Sequence, residues 1–386
     1  MGIITNCVKC NSCGDQYRLR YNLGNKYPQS ATFHCQVCGE ALTFGYGEEE
    51  QILENMSIIP FSMNLKIVNL HPELTLEADA TNDPLYFPSI NFMVRQSEKG
   101  KDGMAMFQDA QQCCILYQQQ WDEVQKEFRY LKEQRWQMLV PIHGKEKQQA
   151  EHKIIMKVFD AADYFLQGRW SVMADQVLDV IGTAFKHPGY KKLHDYLLGY
   201  KEDFLFNKLY AVMVKYREAE AALLPTLLHQ KCGFQPEGFT STVTWEKIEM
   251  IYGDFFEVYG DLLIIPTTLN NLLSRNDFEK FNSENFNLNK YLDADKSGKT
   301  ENFKASANLC PLSEFYDSGI RNGTHHQAST FDKERQLISF KTGKGGRQIK
   351  TMTLVSYIEH CNEIYARILA VLKAYYLINM MHPKDH

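Results

Sequence analysis

Two short copies of one pattern, Cys10-x-x-Cys13-Gly14 and Cys35-x-x-Cys38-Gly39, stand 21 residues apart near the start of the chain. Nothing else in the sequence constrains the fold as tightly. In each copy two thiolates must converge on one point, and the following glycine lets the backbone turn so that amides approach the sulfurs. Four thiolates then close the tetrahedral shell of one zinc ion, leaving no open position, so the expected metal is structural. Disulfides are the competing reading, and Cys7 is either a spare thiol or a replacement for Cys10. The intervening "DQYRLRYNLGNKYPQSATFH" suggests the short strands of a zinc ribbon. Arg18, Arg20 and Tyr21 would then contact nucleic acid or, as the preferred reading, lie on a solvated strand face.

The zinc reading requires a reducing compartment. The N-terminus "MGIITNCVKC" has neither the basic nor the apolar region of a secretory signal, which predicts a cytoplasmic protein. The most apolar run, "ILAVLKAYYLINMM", is short and carries Lys373, so no membrane span is expected. At 386 residues the chain has room for two or three packed units. Hydrophobic residues at 44% and charged residues at 23% exclude the disordered class. A net charge of −5 gives no overall attraction for a polyanion, so any such attraction has to be local.

The expected fold class is mostly α, in four segments: a zinc ribbon over 1–48, an irregular or short-β connection over 49–104, a helical region over 105–194, and a helical domain over 195–386. Tyr117, Trp121, Val124, Phe128 and Leu131 recur at helical spacing, as do Ile154, Ile155, Val158, Phe159, Ala162, Phe165 and Leu166. Further helices are expected near 170–186, 190–230 and 242–275. "DADKSGKT" at 293–300 lacks the first glycine of a phosphate loop and the terminal glutamate of a calcium loop, so it reads as a polar loop before a helix.

"SGIRNGTHHQ" at 318–327 is the second chemical signal. A hairpin follows it, centred on the glycines of "KTGKGGRQIK", and then an apolar final helix near 353–380. From 321 to 350 seven basic residues (Arg321, Lys333, Arg335, Lys341, Lys344, Arg347, Lys350) face only Asp332 and Glu334, a local basic patch. Cleaving RNA through its own 2′-hydroxyl needs a group of near-neutral pKa to move protons and a cation to hold phosphate charge. A histidine and an arginine supply both.

Arg321-Asn322-Gly323-Thr324-His325-His326 resembles the arginine–polar–x-x-x–histidine motif of HEPN ribonucleases, and with the hairpin and closing helix the likeness to abortive-infection members covers about 195–382. The resemblance implies a metal-independent endoribonuclease, a toxin or anti-phage effector, with Arg321, Asn322 and His326 catalytic; His325 beside them and Lys344 and Arg347 of the basic patch are the expected substrate contacts. It implies no catalytic cofactor, an RNA substrate, a homodimer and a restraining antitoxin or trigger protein. Where relatives carry alanine this chain has Gly323, costing a helix about 1 kcal/mol, so a break in the helix is expected there. That break is the reason for preferring His326 over His325, which lies four residues from Arg321. The alternative function is a non-catalytic RNA-binding or assembly module, in which the helices serve as a dimer scaffold.

Overall fold

The structure is a computed structural model. It describes residues 2–23, 29–46, 50–70, 85–86, 97, 100, 102–144, 146–231, 245–325, 329–332, 337–342 and 348–381. The chain divides into two compact units. One comprises 1–111, 218–253 and 319–362; the other comprises 112–217, 254–318 and 363–386. The architecture is mostly α with small sheets towards each end of the chain. No helix among the described residues is long and apolar enough to cross a membrane.

In the first unit, β1 (Gly2–Cys10) pairs antiparallel with β2 (Gln16–Leu23), and β3 (Gln29–His34) with β4 (Ala41–Tyr46). The ribbon does not end at residue 48. β5 (Gln51–Glu54) extends the β3–β4 sheet, β6 (Met56–Ile59) and β8 (Leu85–Tyr86) pair with β1, and β7 (Lys66–Asn69) runs parallel to β2. β2 has strand neighbours on both edges, and the side chains on both of its faces are buried. Tyr17, Leu19 and Tyr21 enter an apolar core with Val8, Phe33, Leu42 and Phe44. Arg18 and Arg20, on the opposite face, are 3% and 0% exposed, so the expected solvated strand is corrected to a buried one. Arg18 reaches Met63 Sδ at 2.9 Å and pairs in register with Cys7, and burial holds its guanidinium below its ordinary pKa.

Elsewhere in this unit, β9 (Ser329–Asp332), β10 (Leu337–Thr342) and β11 (Gln348–Thr353) form an antiparallel sheet in the order β11-β10-β9, the expected hairpin with one added strand. Trp245 stacks on Phe331 and meets Tyr357 edge-on. Buried Asn362 donates to Thr226 Oγ1 and Gln230 Oε1, both at 2.9 Å, so its amide is satisfied inside the core.

The α-helices among the described residues are α1 (Gly103–Lys132), α2 (Trp136–His143), α3 (Lys147–Leu166), α4 (Ser171–Phe185), α5 (Tyr190–Leu198), α6 (Leu209–Lys231), α7 (Trp245–Ile248), α8 (Ile251–Leu262), α9 (Ile264–Arg275), α10 (Leu288–Asp293), α11 (Ser318–His325) and α12 (Leu354–Met380). The expected single helix over 190–230 is interrupted by a π-helical turn at Glu202–Lys208. The segment 293–300 is a polar loop entering a 3-10 turn at Lys296–Asn302, with the Asp295 carboxylate accepting from the Ser297 amide at 3.0 Å. In the second unit the apolar stripe of α1 packs as expected: Tyr117 meets Phe165 and Tyr216 edge-on and shares a 2.7 Å hydroxyl contact with Tyr365.

Set into that core is a charged group. The Glu363 side chain, 1% exposed, accepts from Trp170 Nε1 at 2.9 Å, Arg169 Nε at 2.9 Å and Arg367 at 2.7 Å. Arg367 continues to Glu314 at 3.1 Å and to the Pro311 carbonyl at 2.9 Å, and it lies over the ring of Phe315. Removing one member of such a set strands the others without water. Glu363→Ala should therefore lower unfolding stability by about 3 kcal/mol or more in chemical denaturation, beyond the loss expected for an exposed glutamate.

Candidate functional site

The four cysteines of the paired motif come together. Cys10, Cys13, Cys35 and Cys38 place all their sulfurs within 4.8 Å of one another, close enough to hold one metal ion. Each pair is a tight turn of the same construction. The amides of Gly14 and Gly39 donate to the carbonyls of Cys10 and Cys35 at 2.9 and 2.8 Å, and the amides of Cys10 and Cys35 donate to Asp15 and Glu40, both at 2.8 Å. Gly14 at φ +80° and Gly39 at φ +77° stand where a side chain would be strained, which is why both pairs end in glycine.

Cys10 and Cys35 are buried while Cys13 and Cys38 face solvent, so the cluster has one closed side and one open to entry. Cys7 is not part of it. Its sulfur accepts from the Ser62 amide at 3.3 Å, which removes it as a replacement for Cys10.

The sulfurs differ in acidity. Burial raises the Cys35 thiol, but the amides of Cys38 and Val37 and the Tyr17 hydroxyl outweigh it and bring the pKa down to about 7. The Tyr17 hydroxyl sits 3.2 Å from that sulfur and accepts from the Gln36 amide at 2.8 Å. At Cys13 a backbone contact from Asp15 lowers the pKa, but burial and the neighbouring sulfurs prevail and push it up to about 12.

The second candidate site is on α11. Arg321 is half-buried and its Nη1 donates to Asn322 Oδ1 at 2.9 Å, so the two residues named together in the sequence do meet. The helix runs unbroken from Ser318 through Gly323 to His325, which corrects the expected break. Its glycine serves packing instead. A Cβ on Gly323 would lie 2.4 Å from Cδ1 of Phe340 and 2.8 Å from its Cβ, so α11 rests directly on β10. Thr324, also buried, returns its hydroxyl to the carbonyls of Ile320 and Arg321, both at 3.1 Å, and so needs no other partner.

The comparisons add no relative. No family model matches the chain, and searches of curated proteins and of solved structures find no match.

Of the remaining expected site residues, His325 closes α11, one turn beyond Arg321. His326, Lys344 and Arg347 lie outside the described residues. Lys341 and Lys350 are exposed on the hairpin. Lys350 pairs in register with Phe340, which puts it on the face of the sheet against which Gly323 packs. That placement needs the register of β10 and β11, which basic-residue counting along the sequence did not supply.

Two expectations follow from this geometry. Gly323→Ala should destabilise the protein by about 1–3 kcal/mol through overpacking, against the roughly 1 kcal/mol that alanine would add in an open helix. Pairing it with Phe340→Leu should recover part of the loss, measured as a double-mutant cycle in urea. At the cysteine cluster, zinc titrated into metal-stripped protein should release fewer protons at pH 8 than at pH 6, because Cys35 is already a thiolate above about 7 whereas Cys13 must lose its proton at both. Calorimetry in buffers of differing ionisation enthalpy reads that difference.

Proposed function

We propose that this chain is a metal-independent endoribonuclease whose Arg/His site is the segment from Arg321 on α11 to His326, with a structural zinc ion in its N-terminal ribbon. The observation that carries the enzymatic reading is the seating of α11. Helix and sheet touch at Gly323 and Phe340, Arg321 donates to Asn322, and Lys350 lies on the sheet face against which the helix packs. A guanidinium can present two N–H groups at once to a phosphate.

In the proposed reaction a histidine takes the proton of the RNA 2′-hydroxyl, and that oxygen attacks the adjacent phosphorus. The phosphorus–5′-oxygen bond breaks, the 5′-oxygen takes a proton from the protonated histidine or from water, and Arg321 stabilises the charge on the non-bridging oxygens as it develops. The products are a 2′,3′-cyclic phosphate and a 5′-hydroxyl end. His326 takes the proton-moving role on the strength of the family resemblance. The unbroken helix removes the geometric argument against His325, so the two histidines are set against each other in the test below.

Structural zinc rests on the sulfur positions. A tetrahedral ion with bonds of about 2.3 Å sets its ligand sulfurs about 3.8 Å apart. Cys10 and Cys38 stand at 3.8 Å and Cys13 and Cys35 at 3.4 Å. The chain would act as a homodimer in the cell interior, restrained by an antitoxin or trigger protein. The assembly-module alternative is favoured by one feature, the edge strand β11, on which Ile349 is 71% exposed.

Purified protein incubated with total RNA should yield fragments ending in 2′,3′-cyclic phosphate. Arg321→Ala and His326→Ala should each cut activity by at least about 100-fold, the usual contribution of a general acid–base or charge-stabilising group, with circular dichroism unchanged. His325→Ala should retain most activity; the reverse pattern assigns the proton transfer to His325, and full activity in all three variants refutes the site. Metal analysis should find one zinc per chain, and Cys35→Ser should release it while the helical signal of 254–318 and 363–380 persists.

A further inference from the structure

A cavity of about 550 Å³ opens in the second unit, where α4, the C-terminal half of α9, the segment after it and the 3-10 turns at 296–313 meet. It shares no residue with the cysteine cluster or with α11. Four asparagines, Asn270, Asn282, Asn302 and Asn308, are among the residues that line it.

Asn270 and Asn302 each commit their Nδ2 to a backbone carbonyl, that of Asn302 at 2.8 Å and that of Lys299 at 3.2 Å, which leaves both Oδ1 atoms as acceptors in the wall. Glu301, paired with Lys304, adds a carboxylate. On the donor side stands Arg275. Its guanidinium is held by neutral groups, Asn271 Oδ1 at 2.7 Å, Ser274 Oγ at 2.8 Å and Asn282 Oδ1 at 3.2 Å from Nε, and it has no carboxylate partner among the described residues. Those bonds use the acceptor of Asn282 and leave its NH₂ group to donate. The amide of Asn308 makes no hydrogen bond among the described residues and offers both roles.

The balance of these groups selects the ligand. A phosphate or carboxylate brings only acceptors, which Arg275 could answer but the oxygens of Asn270, Asn302 and Glu301 could not. A hydroxyl both donates and accepts, and a ring of adjacent hydroxyls meets an alternation of amide N–H and C=O at every point. The cavity wall contains no aromatic ring on which a base would stack, while Val180, Leu273 and Leu309 supply an apolar surface for the C–H face of a small saturated ring. We propose that this cavity is a binding site for a neutral polyhydroxylated ligand, a monosaccharide or cyclic polyol. The site is separate from the proposed nuclease chemistry and holds or fails independently of it.

The test uses the full-length protein and a panel of ribose, glucose, galactose, mannose and myo-inositol, with inorganic phosphate and AMP as contrasting arms. Saturation-transfer NMR and calorimetry, at ligand concentrations up to about 20 mM to reach millimolar affinities, provide the readout. At least one polyol should bind saturably. Asn308→Ala, at an exposed position with no internal bond to break, should weaken it about fivefold, the equivalent of one hydrogen bond. Asn308→Trp should abolish binding by filling the cavity while leaving the thermal unfolding midpoint in place. Saturable binding of phosphate or AMP without any polyol would assign the cavity to anions and overturn the proposal. So would the absence of binding across the panel, or polyol binding that survives Asn308→Trp. RNA cleavage, measured on the same variants, should not change, which separates failure here from failure of the nuclease reading.

Discussion

A carboxylate sealed from water sets the terms for the second unit. Glu363 could be held there only because three donors converge on it, two from the turn between α3 and α4 and one from its own helix a turn later. Each of those donors fixes backbone in turn. Trp170 stacks on Phe165, joining the turn to α3, and Arg367 ties α12 to the segment at 311–315. Phe315, under the Arg367 guanidinium, adopts a left-handed backbone at φ 57°, a cost that only a tightly determined neighbourhood sustains. Such a set contributes less to net stability than its list of bonds suggests, because desolvation offsets much of the attraction. What it does fix is register: α12 cannot slide by a turn without stranding charge. The same logic appears in the first unit at Asn362, one residue earlier on the helix, whose amide is used up by Thr226 and Gln230.

What could be read in the sequence was whatever is local. The two Cys-x-x-Cys-Gly turns close within five residues each, so spacing alone specified them, and the sulfurs do converge. The stripe from Tyr117 to Leu131 and the hairpin around the 343–347 glycines are likewise short-range patterns, and the helix and strands stand where those patterns put them. Readings that depended on distant partners fared differently. Arg18 and Arg20 alternate with Tyr17 and Leu19 like any solvent-facing strand positions, but both are buried, with Met63, more than forty residues on, against Arg18. Glu363 and Arg367 are an ordinary i,i+4 pair by sequence. Only Arg169 and Trp170, almost two hundred residues earlier, make them a buried cluster.

Gly323 shows the same limit at the candidate site itself. Helix propensity treats glycine as a weak point, because in isolation nothing repays its extra backbone freedom. In the fold the absent side chain is the useful property. Phe340 occupies the space a Cβ would take, and the gain from burying an aromatic ring against a helix backbone is larger than the propensity it costs. Propensity is a statement about a helix in water, and α11 is not in water on that side.

The consequence for chemistry follows from where that contact lies. On a helix, positions 320, 323 and 324 share one side: Ile320 is 0% exposed, Thr324 is 1%, and Gly323 touches the sheet. Position 321 turns partly away from that side and 322 fully, matching a half-buried arginine and an exposed asparagine. A buried face pinned at three positions thus turns Asn322 fully and Arg321 partly away from the sheet, held by a backbone that has no room to rotate about its own axis. Rotation by even one residue's 100° would drive Asn322 or Thr324 into Phe340. Orientation of the polar residues is therefore a by-product of packing, and it is the contact between a glycine and a phenylalanine, with no charge of its own, that aims them.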